Sequence, residues 1–245
     1  MSQTEIPRRR AVRFVLRQLI HAAFGLFARV RVIGQENLPA GGPLVVVANH
    51  FNFADPVALI HVLPWEINFI AAAVPGFAPR WATVFPKIWG AFWVYRGTGS
   101  RDALKLAERW LKQKGVLCIF PEGGAWAQVL RPPRPGTAYL ATRGEAPILP
   151  VAIYGLEKIF PLRLVNRPEV TVRIGKPFGP FRVQGRGRER RKQIDRIGHT
   201  IMEHIAALLP EEMRGRYSSD PAIREAAKPF EAYPWENAIE GEIVS

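Results

Sequence analysis

The chain has 245 residues, of which 48% are hydrophobic, and a formal net charge of +13 at pH 7. This length can bury one sizeable core, so we predict a single domain with terminal additions. One cysteine, Cys118, excludes an internal disulfide and is predicted to pack in the core of a protein from a reducing compartment. The charge indicates an anionic partner, and its clusters beside amphipathic stretches favour lipid over nucleic acid.

Residues 1–29 predict a basic amphipathic helix. Arg13 and Arg17 interrupt its apolar stretch, and no small-residue cleavage site follows, so a signal peptide is not expected. Its longest uncharged part, residues 18–28, is shorter than the roughly 20 apolar residues that a membrane span needs. The arginines share one stripe with His21, and apolar residues fill much of the rest. We predict an interfacial helix; the alternative is that the apolar face packs on the domain core.

Strand-like and helix-like patterns alternate along the rest of the chain. Apolar and β-branched runs predict strands near residues 44–47, 67–73, 116–120, 148–154 and 169–174, and residues 30–39 predict a short strand followed by a turn. Helical periodicity predicts helices at residues 57–62, 100–115, 137–143 and 194–208. This alternation predicts an α/β fold, with a mixed, largely parallel sheet flanked by helices in one domain over residues 30–216. Residues 217–245 are a C-terminal tail whose packing stays open.

Residues 74–93 form a proline-punctuated aromatic tract between two of these elements. It is too rich in large apolar side chains for an ordinary exposed loop, so we expect some to be core and others to contact an acyl chain or lipid headgroups. The aromatic residues are Phe77, Trp81, Phe85, Trp89, Phe92 and Trp93.

The stretch ANHFNFADP places His50 and Asp55 five positions apart, directly after a predicted strand. Asp55 is predicted to cap the helix that follows it. Ligands of α/β sheets bind beyond the carboxyl ends of strands, where these two residues, Arg96 and Glu122 can converge. A carboxylate can orient an imidazole that acts as a base, but this spacing also fits two unrelated surface residues. Metal-ligand spacing, a nucleophile elbow and a phosphate loop are absent from the sequence.

Four blocks in order, NHFNFADP, WGAFWVYRG, FPEGG and ILPVAIYG, resemble the motifs of the glycerolipid acyltransferase family, which includes the 1-acylglycerol-3-phosphate acyltransferases. The resemblance spans about residues 30–178. It implies transfer of a fatty acyl group from acyl-CoA or acyl carrier protein to a hydroxyl of a lysoglycerolipid, with 1-acylglycerol-3-phosphate as the expected acceptor. The hydroxyl attacks directly, so the reaction needs neither a covalent acyl-enzyme nor a cofactor or metal.

The resemblance also implies residue roles. His50 is the expected general base and Asp55 its orienting partner. The expected acceptor-binding residues are Gly90, Arg96, Glu122 and Gly123, and the fourth block maps to Pro150, a possible donor or phosphate contact. The sequence departs from the family where Gly124, Ala125 and Trp126 replace the usual Thr, Arg and Ser. Expected substitutes for the missing cation are Lys114, Arg131 and Arg134.

The expected partners are an anionic membrane surface, the acyl donor and a lysolipid, and nucleic acid is not expected. We predict a peripheral or monotopic protein on the cytoplasmic face of a membrane. The departure in the third block leaves open a different lysolipid or glycolipid acceptor. Two other hypotheses are a non-catalytic lipid-binding protein and a hydrolase that uses the same base to activate water.

Overall fold

The computed structural model describes residues 9–72, 84–94, 101–160, 162, 164 and 167–232. Within them, seven strands form one sheet in the order β1-β7-β6-β2-β5-β3-β4. Each neighbouring pair is parallel except β6 with β7, which is antiparallel. The strands are β1 Arg29–Ile33, β2 Leu44–Ala48, β3 Ile67–Ala72, β4 Phe92–Val94, β5 Val116–Ile119, β6 Ile148–Tyr154 and β7 Glu169–Ile174.

Helices cover both faces of this sheet. They are α1 Arg10–Phe27, α2 Asp55–Val62, α3 Val84–Trp89, α4 Arg101–Lys112, α5 Pro135–Arg143, α6 Gly187–Ala206 and α7 Pro221–Ala227. One hydrophobic cluster joins a sheet face to α1, α2 and α3, and a second joins the other face to α4, α5 and α6. The predicted α/β class with a largely parallel, mixed sheet is therefore confirmed.

The central strands are apolar without alternation because both of their faces are covered. All five residues of β2 are buried. On the neighbouring strand Cys118 is fully buried beside Val46, and burial raises the pKa of its thiol well above the ordinary range. The predicted packing role of this cysteine is confirmed.

Two short elements belong to the aromatic tract: α3 lies inside it, and β4 begins inside it and ends one residue beyond it, at Val94. Trp89 and Phe92 are buried, as expected for the core part of that tract. Phe77 and Trp81 lie outside the described residues.

Part of the predicted C-terminal tail is folded. The Tyr217 hydroxyl lies 2.8 Å from Nδ1 of His199 on α6, and Ser218 is buried. Helix α7 begins after Asp220, whose carboxylate accepts the Ala222 N–H at 2.8 Å.

Helix α1 turns its basic stripe toward the protein and its apolar face outward. Arg13 is 3% exposed, with Nη1 donating to Glu66 at 2.7 Å and Nε donating to the Trp89 carbonyl at 2.9 Å. The Arg17 guanidinium donates to the Leu63 carbonyl, just beyond the last turn of α2. Both arginines therefore bind acceptors on the domain, so the basic stripe of α1 packs against the protein.

The outward face of α1 carries exposed apolar side chains. They are Val12, Phe14, Val15, Leu19 and Leu26. Ile20 and Phe24 are buried in the core and Leu16 is partly buried against it, so the alternative that the domain covers the apolar face holds for this part of the helix. Among the described helices, none combines the length and the hydropathy needed to cross a membrane.

A histidine pair joins α1 to α2. The Nδ1 atoms of His21 and His61 are 2.9 Å apart, so one must donate and the other accept. Nε of Arg17 donates to Nε2 of His21 at 3.4 Å, which leaves His21 Nδ1 as the donor to His61. Burial, followed by the electrostatic effects of His21 and Arg17, lowers the pKa of His61 to about 4.

We expect this pair to make folding stability depend on pH. The folded protein holds His61 neutral, with a pKa below the ordinary 6.5, so the unfolded chain takes up a proton first as the pH falls. The free energy of unfolding should therefore decline from pH 6.5 towards about pH 4. Melting temperatures over this range should fall more steeply for the wild type than for His61→Gln. Equal slopes would contradict this role for His61.

Candidate active site

The predicted site residues that follow β2 and β5 meet at one edge of the sheet. His50 lies two residues beyond the end of β2, and Glu122 lies three residues beyond the end of β5. These strands are parallel neighbours, with Val47 opposite Ile119, so both polar segments emerge at the same carboxyl edge. Three of the four residues predicted to converge, His50, Asp55 and Glu122, meet at this edge, and the fourth, Arg96, lies outside the described residues.

The polar turn between β2 and α2 folds around the carboxylate of Asp55. Its Oδ2 atom lies 2.9 Å from Nδ1 of His50 and accepts the N–H groups of Phe51 and Asn52 at 2.8 Å each. The side chain of His50 is 18% exposed and that of Asp55 is 1% exposed. The predicted helix-cap role is wrong: α2 begins at Asp55 itself, and the carboxylate points back into the preceding turn.

Electrostatics in this turn favour one tautomer of His50. Burial raises the pKa of Asp55, and the hydrogen bonds from His50, Asn52 and Phe51 oppose that rise because each donates to the ionised carboxylate. With Asp55 ionised, Nδ1 of the imidazole carries the proton and Nε2 presents a lone pair. The ring stacks on Phe120 with centroids 4.2 Å apart, and no described residue hydrogen-bonds to Nε2. The geometry suits a general base.

A buried ion pair holds the backbone of His50. Glu122 is fully buried and accepts the His50 N–H through Oε1 at 2.6 Å, while its Oε2 pairs with Arg131 Nη2 at 2.6 Å. The same Nη2 donates to the carbonyls of His50 and Gly124 at 2.8 Å each. Burial raises the pKa of Glu122, and the charge of Arg131 is the largest opposing effect. The pair therefore fixes both peptide groups of His50.

This arrangement corrects two predicted roles. Glu122 was expected to bind the acceptor, but its carboxylate is enclosed and engaged by the protein. Arg131 was expected to supply a cation to phosphate, but it is 1% exposed. Both are hydrogen-bonded to the backbone of His50 instead.

Trp126, the third residue of the unusual Gly-Ala-Trp segment, covers this ion pair. Its ring centroid is 3.8 Å from the guanidinium carbon of Arg131. Its indole N–H donates to the Phe230 carbonyl at 3.1 Å, which links the site to the folded C-terminal segment. A cation under an aromatic face is stabilised and is shielded from other ligands.

Three other predicted residues lie away from the site's polar groups. Lys114 precedes β5 and Gly90 precedes β4, so both lie at the amino ends of parallel strands, opposite His50. This position does not favour the predicted contact of Gly90 with the acceptor or that of Lys114 with a phosphate. Pro150 lies within β6 beside Val47, buried in the sheet interior, which does not favour a contact with substrate.

The remaining predicted residues are closer in sequence to the carboxyl edge. Gly123 is exposed in the turn after β5, with the positive φ of 78° that a glycine adopts without strain. Arg134 precedes α5, is half-buried, and its N–H donates to the Pro121 carbonyl at 2.7 Å. Arg96 follows β4 and lies outside the described residues. Three or more potential metal ligands are not grouped anywhere in the described chain.

Sequence reasoning missed Asn49. Its side-chain amide accepts the Ile153 N–H at 2.8 Å and donates to the Ile153 carbonyl at 2.7 Å, which ties the end of β2 to β6. The signal available in the sequence was an asparagine between an apolar strand and His50. A buried amide needs partners, and these lie 104 residues away.

Comparison with known proteins identifies similar sequences and folds. The sequence model of the acyltransferase family matches residues 29–154, just over half of the chain. The 1-acyl-sn-glycerol-3-phosphate acyltransferase of Bacillus subtilis is 31% identical over 51% of this chain and 63% of its own length. The protein of the same name from Saccharomyces cerevisiae is 30% identical over 61% of this chain and 51% of its own length. This chain thus spans less than two thirds of either relative.

The fold also has a counterpart among solved structures. The 1-acyl-sn-glycerophosphate (LPA) acyltransferase PlsC of Thermotoga maritima aligns with a TM-score of 0.51 and 23% identity. The alignment covers 81% of this chain and 83% of that chain. At this identity the likeness concerns the fold.

Proposed function

Because this chain belongs to the acyltransferase family, we propose that it transfers a fatty acyl group from an acyl thioester to a hydroxyl of a lysoglycerolipid. The observation that carries the proposal is the His50 and Asp55 pair, 2.9 Å apart at the carboxyl edge of the parallel sheet. Acyl-CoA or acyl carrier protein is the donor, and 1-acylglycerol-3-phosphate is the first acceptor to test.

The proposed reaction is a direct displacement. Nε2 of His50 removes the proton from the acceptor hydroxyl as its oxygen bonds to the thioester carbonyl carbon. The tetrahedral intermediate then expels the thiolate, which receives the proton from the imidazolium. Asp55 stabilises that imidazolium through Nδ1 and does not itself take the proton. Cys118 is fully buried and takes no part.

The acceptor phosphate needs a cation that is not already enclosed. Arg134 is half-buried near the turn that carries Glu122, so it is the described residue that best suits this role. Arg96, which the family resemblance predicts to bind the acceptor, is a second candidate for this cation. A guanidinium suits phosphate because two of its N–H groups can donate to one anion.

The proposed site of action is a membrane surface, with the protein peripheral or monotopic on the cytoplasmic face. The outward apolar residues of α1 and the net charge of +13 support attraction to an anionic bilayer.

A double change on α1 tests this membrane contact. Val15 and Leu19 are 56% and 61% exposed, so Val15→Gln/Leu19→Gln should leave folding intact. The affinity for vesicles of phosphatidylglycerol and phosphatidylcholine should fall about tenfold, since two apolar groups no longer enter the bilayer. Cosedimentation measures it, and Gln18→Ser, an exposed polar change on the same helix, serves as the control. Equal binding by the double variant would rule out this face.

A transfer screen tests the activity. Purified protein is incubated with labelled acyl-CoA or acyl carrier protein and with lysophosphatidate, other lysophospholipids or a lysoglycolipid in mixed micelles. Diacyl product from lysophosphatidate supports the full proposal, and product only from another acceptor assigns the Gly-Ala-Trp departure to specificity. Free fatty acid alone would indicate a hydrolase. Lipid binding without any product would indicate a non-catalytic binding protein.

A further inference from the structure

A second exposed apolar group lies beyond the end of β6. Phe160, Leu162 and Leu164, here called the apolar rim, are 39%, 53% and 66% exposed. The strand before them runs parallel to β2, so its carboxyl end lies at the same edge of the sheet as His50. Apolar tips of this size at a catalytic edge indicate a binding surface.

The rim is linked to both the candidate site and α1. The ring of Phe160 lies 5.2 Å from that of Phe53, which belongs to the turn between His50 and Asp55. Arg167, just after the rim, donates through Nη1 to the Gly25 carbonyl near the end of α1 at 2.6 Å. The rim therefore lies between α1, whose apolar face is exposed, and the turn from β2 to α2 that carries His50.

We infer that the apolar rim inserts into the acyl-chain layer of an anionic bilayer and holds the catalytic edge against the leaflet. Three exposed cations lie near the rim: Lys158 and Arg167 flank it in sequence. The third, Arg29, begins β1 opposite Glu169 of β7. Apolar tips flanked by cations are typical of an interface with anionic lipid. Because the rim lies beside the exposed apolar face of α1, we favour a lipid bilayer over a groove on another protein as the surface that binds it.

This surface is distinct from α1 and deepens the proposed function by stating which edge of the domain faces the lipid. It rests on that function only for its catalytic consequence, because insertion can be measured without any transfer. Placing His50 at the leaflet would let a lysolipid reach the base without leaving the bilayer.

An environment-sensitive probe tests the insertion. The natural cysteine is buried, so Leu164→Cys can be labelled selectively with a nitrobenzoxadiazole dye, and Lys112→Cys provides a control. Lys112 is 67% exposed at the end of α4, before the amino end of β5. With phosphatidylglycerol vesicles, the label at position 164 should shift its emission to the blue and be quenched by brominated acyl chains. The label at position 112 should do neither.

A substitution makes the same test without a label. Leu162→Gln/Leu164→Gln should weaken vesicle binding about tenfold while the melting temperature stays that of the wild type. Unchanged binding, a label at 164 that stays in water on bound protein, or self-association through the rim without vesicles would overturn the inference. Insertion without acyl transfer to any acceptor would support the rim and reject the proposed function, so the two failures are distinguishable.

Discussion

Replacing His50 with alanine is expected to reduce acyl transfer by about 10²- to 10⁴-fold, the usual contribution of a general base. The imidazole is the group held by Asp55, and its Nε2 atom is placed to accept the proton of the acceptor hydroxyl. Initial rates at saturating donor and acceptor measure the loss. A rate near that of the wild type would remove His50 from the mechanism.

Stability must be measured beside this rate, because His50→Ala also removes a hydrogen bond from a buried carboxylate. Two backbone N–H donors to Asp55 remain, so we expect a loss of about 1–2 kcal/mol in the free energy of unfolding. His50→Asn is the matched control, since its amide can still donate to Asp55 but cannot act as a base. It should lose as much rate as the alanine variant and less stability.

Asp55→Asn is expected to reduce transfer less than His50→Ala. The amide can hold the ring but cannot stabilise an imidazolium by charge. The amide oxygen can replace Oδ2 as the acceptor of the Phe51 and Asn52 N–H groups, but these hydrogen bonds lose the strength that an ionised acceptor gives them. A loss of stability should therefore accompany the loss of rate, with thermal unfolding as the measurement. A stable variant with full activity would contradict the orienting role.

Local patterns predicted the elements that place His50. The β-branched run before His50 forms β2, and the predicted helix after it forms α2. Both could be predicted because the residues that determine them are adjacent in sequence. The hydrogen bonds that Glu122 and Arg131 make to the backbone of His50 could not be predicted in this way. Arg131 lies 81 residues from His50, and only the order of the strands brings the two together.

Helix α1 illustrates a second limit. Its period correctly separated a basic stripe from an apolar face, yet the sequence does not state which face meets the domain. That choice depends on distant acceptors, such as the Glu66 carboxylate for Arg13 and the Leu63 carbonyl for Arg17. Buried arginine is stable where such acceptors surround it.

Arg131→Met is expected to give the largest loss of stability. It leaves the Glu122 carboxylate buried without its counter-ion, a change that typically costs about 3–5 kcal/mol. Denaturant unfolding measures the loss. Arg182→Met is the matched control, because Arg182 is 78% exposed and its nearest carboxylate, on Glu145, is 3.8 Å away. The control should change stability by less than about 1 kcal/mol.

A double variant separates the stability cost of an unpaired buried charge from the role of Glu122 and Arg131 in holding His50. Glu122→Gln/Arg131→Met removes both charges, while the glutamine oxygen can still accept the His50 N–H, so it should be more stable than Arg131→Met alone. The carbonyls of His50 and Gly124 still lose their donor, so transfer should stay low even when the protein is folded. Full activity in a stable double variant would mean that His50 needs no support from this pair. Recovered stability with a persistent loss in kcat would assign Glu122 and Arg131 to the positioning of the base.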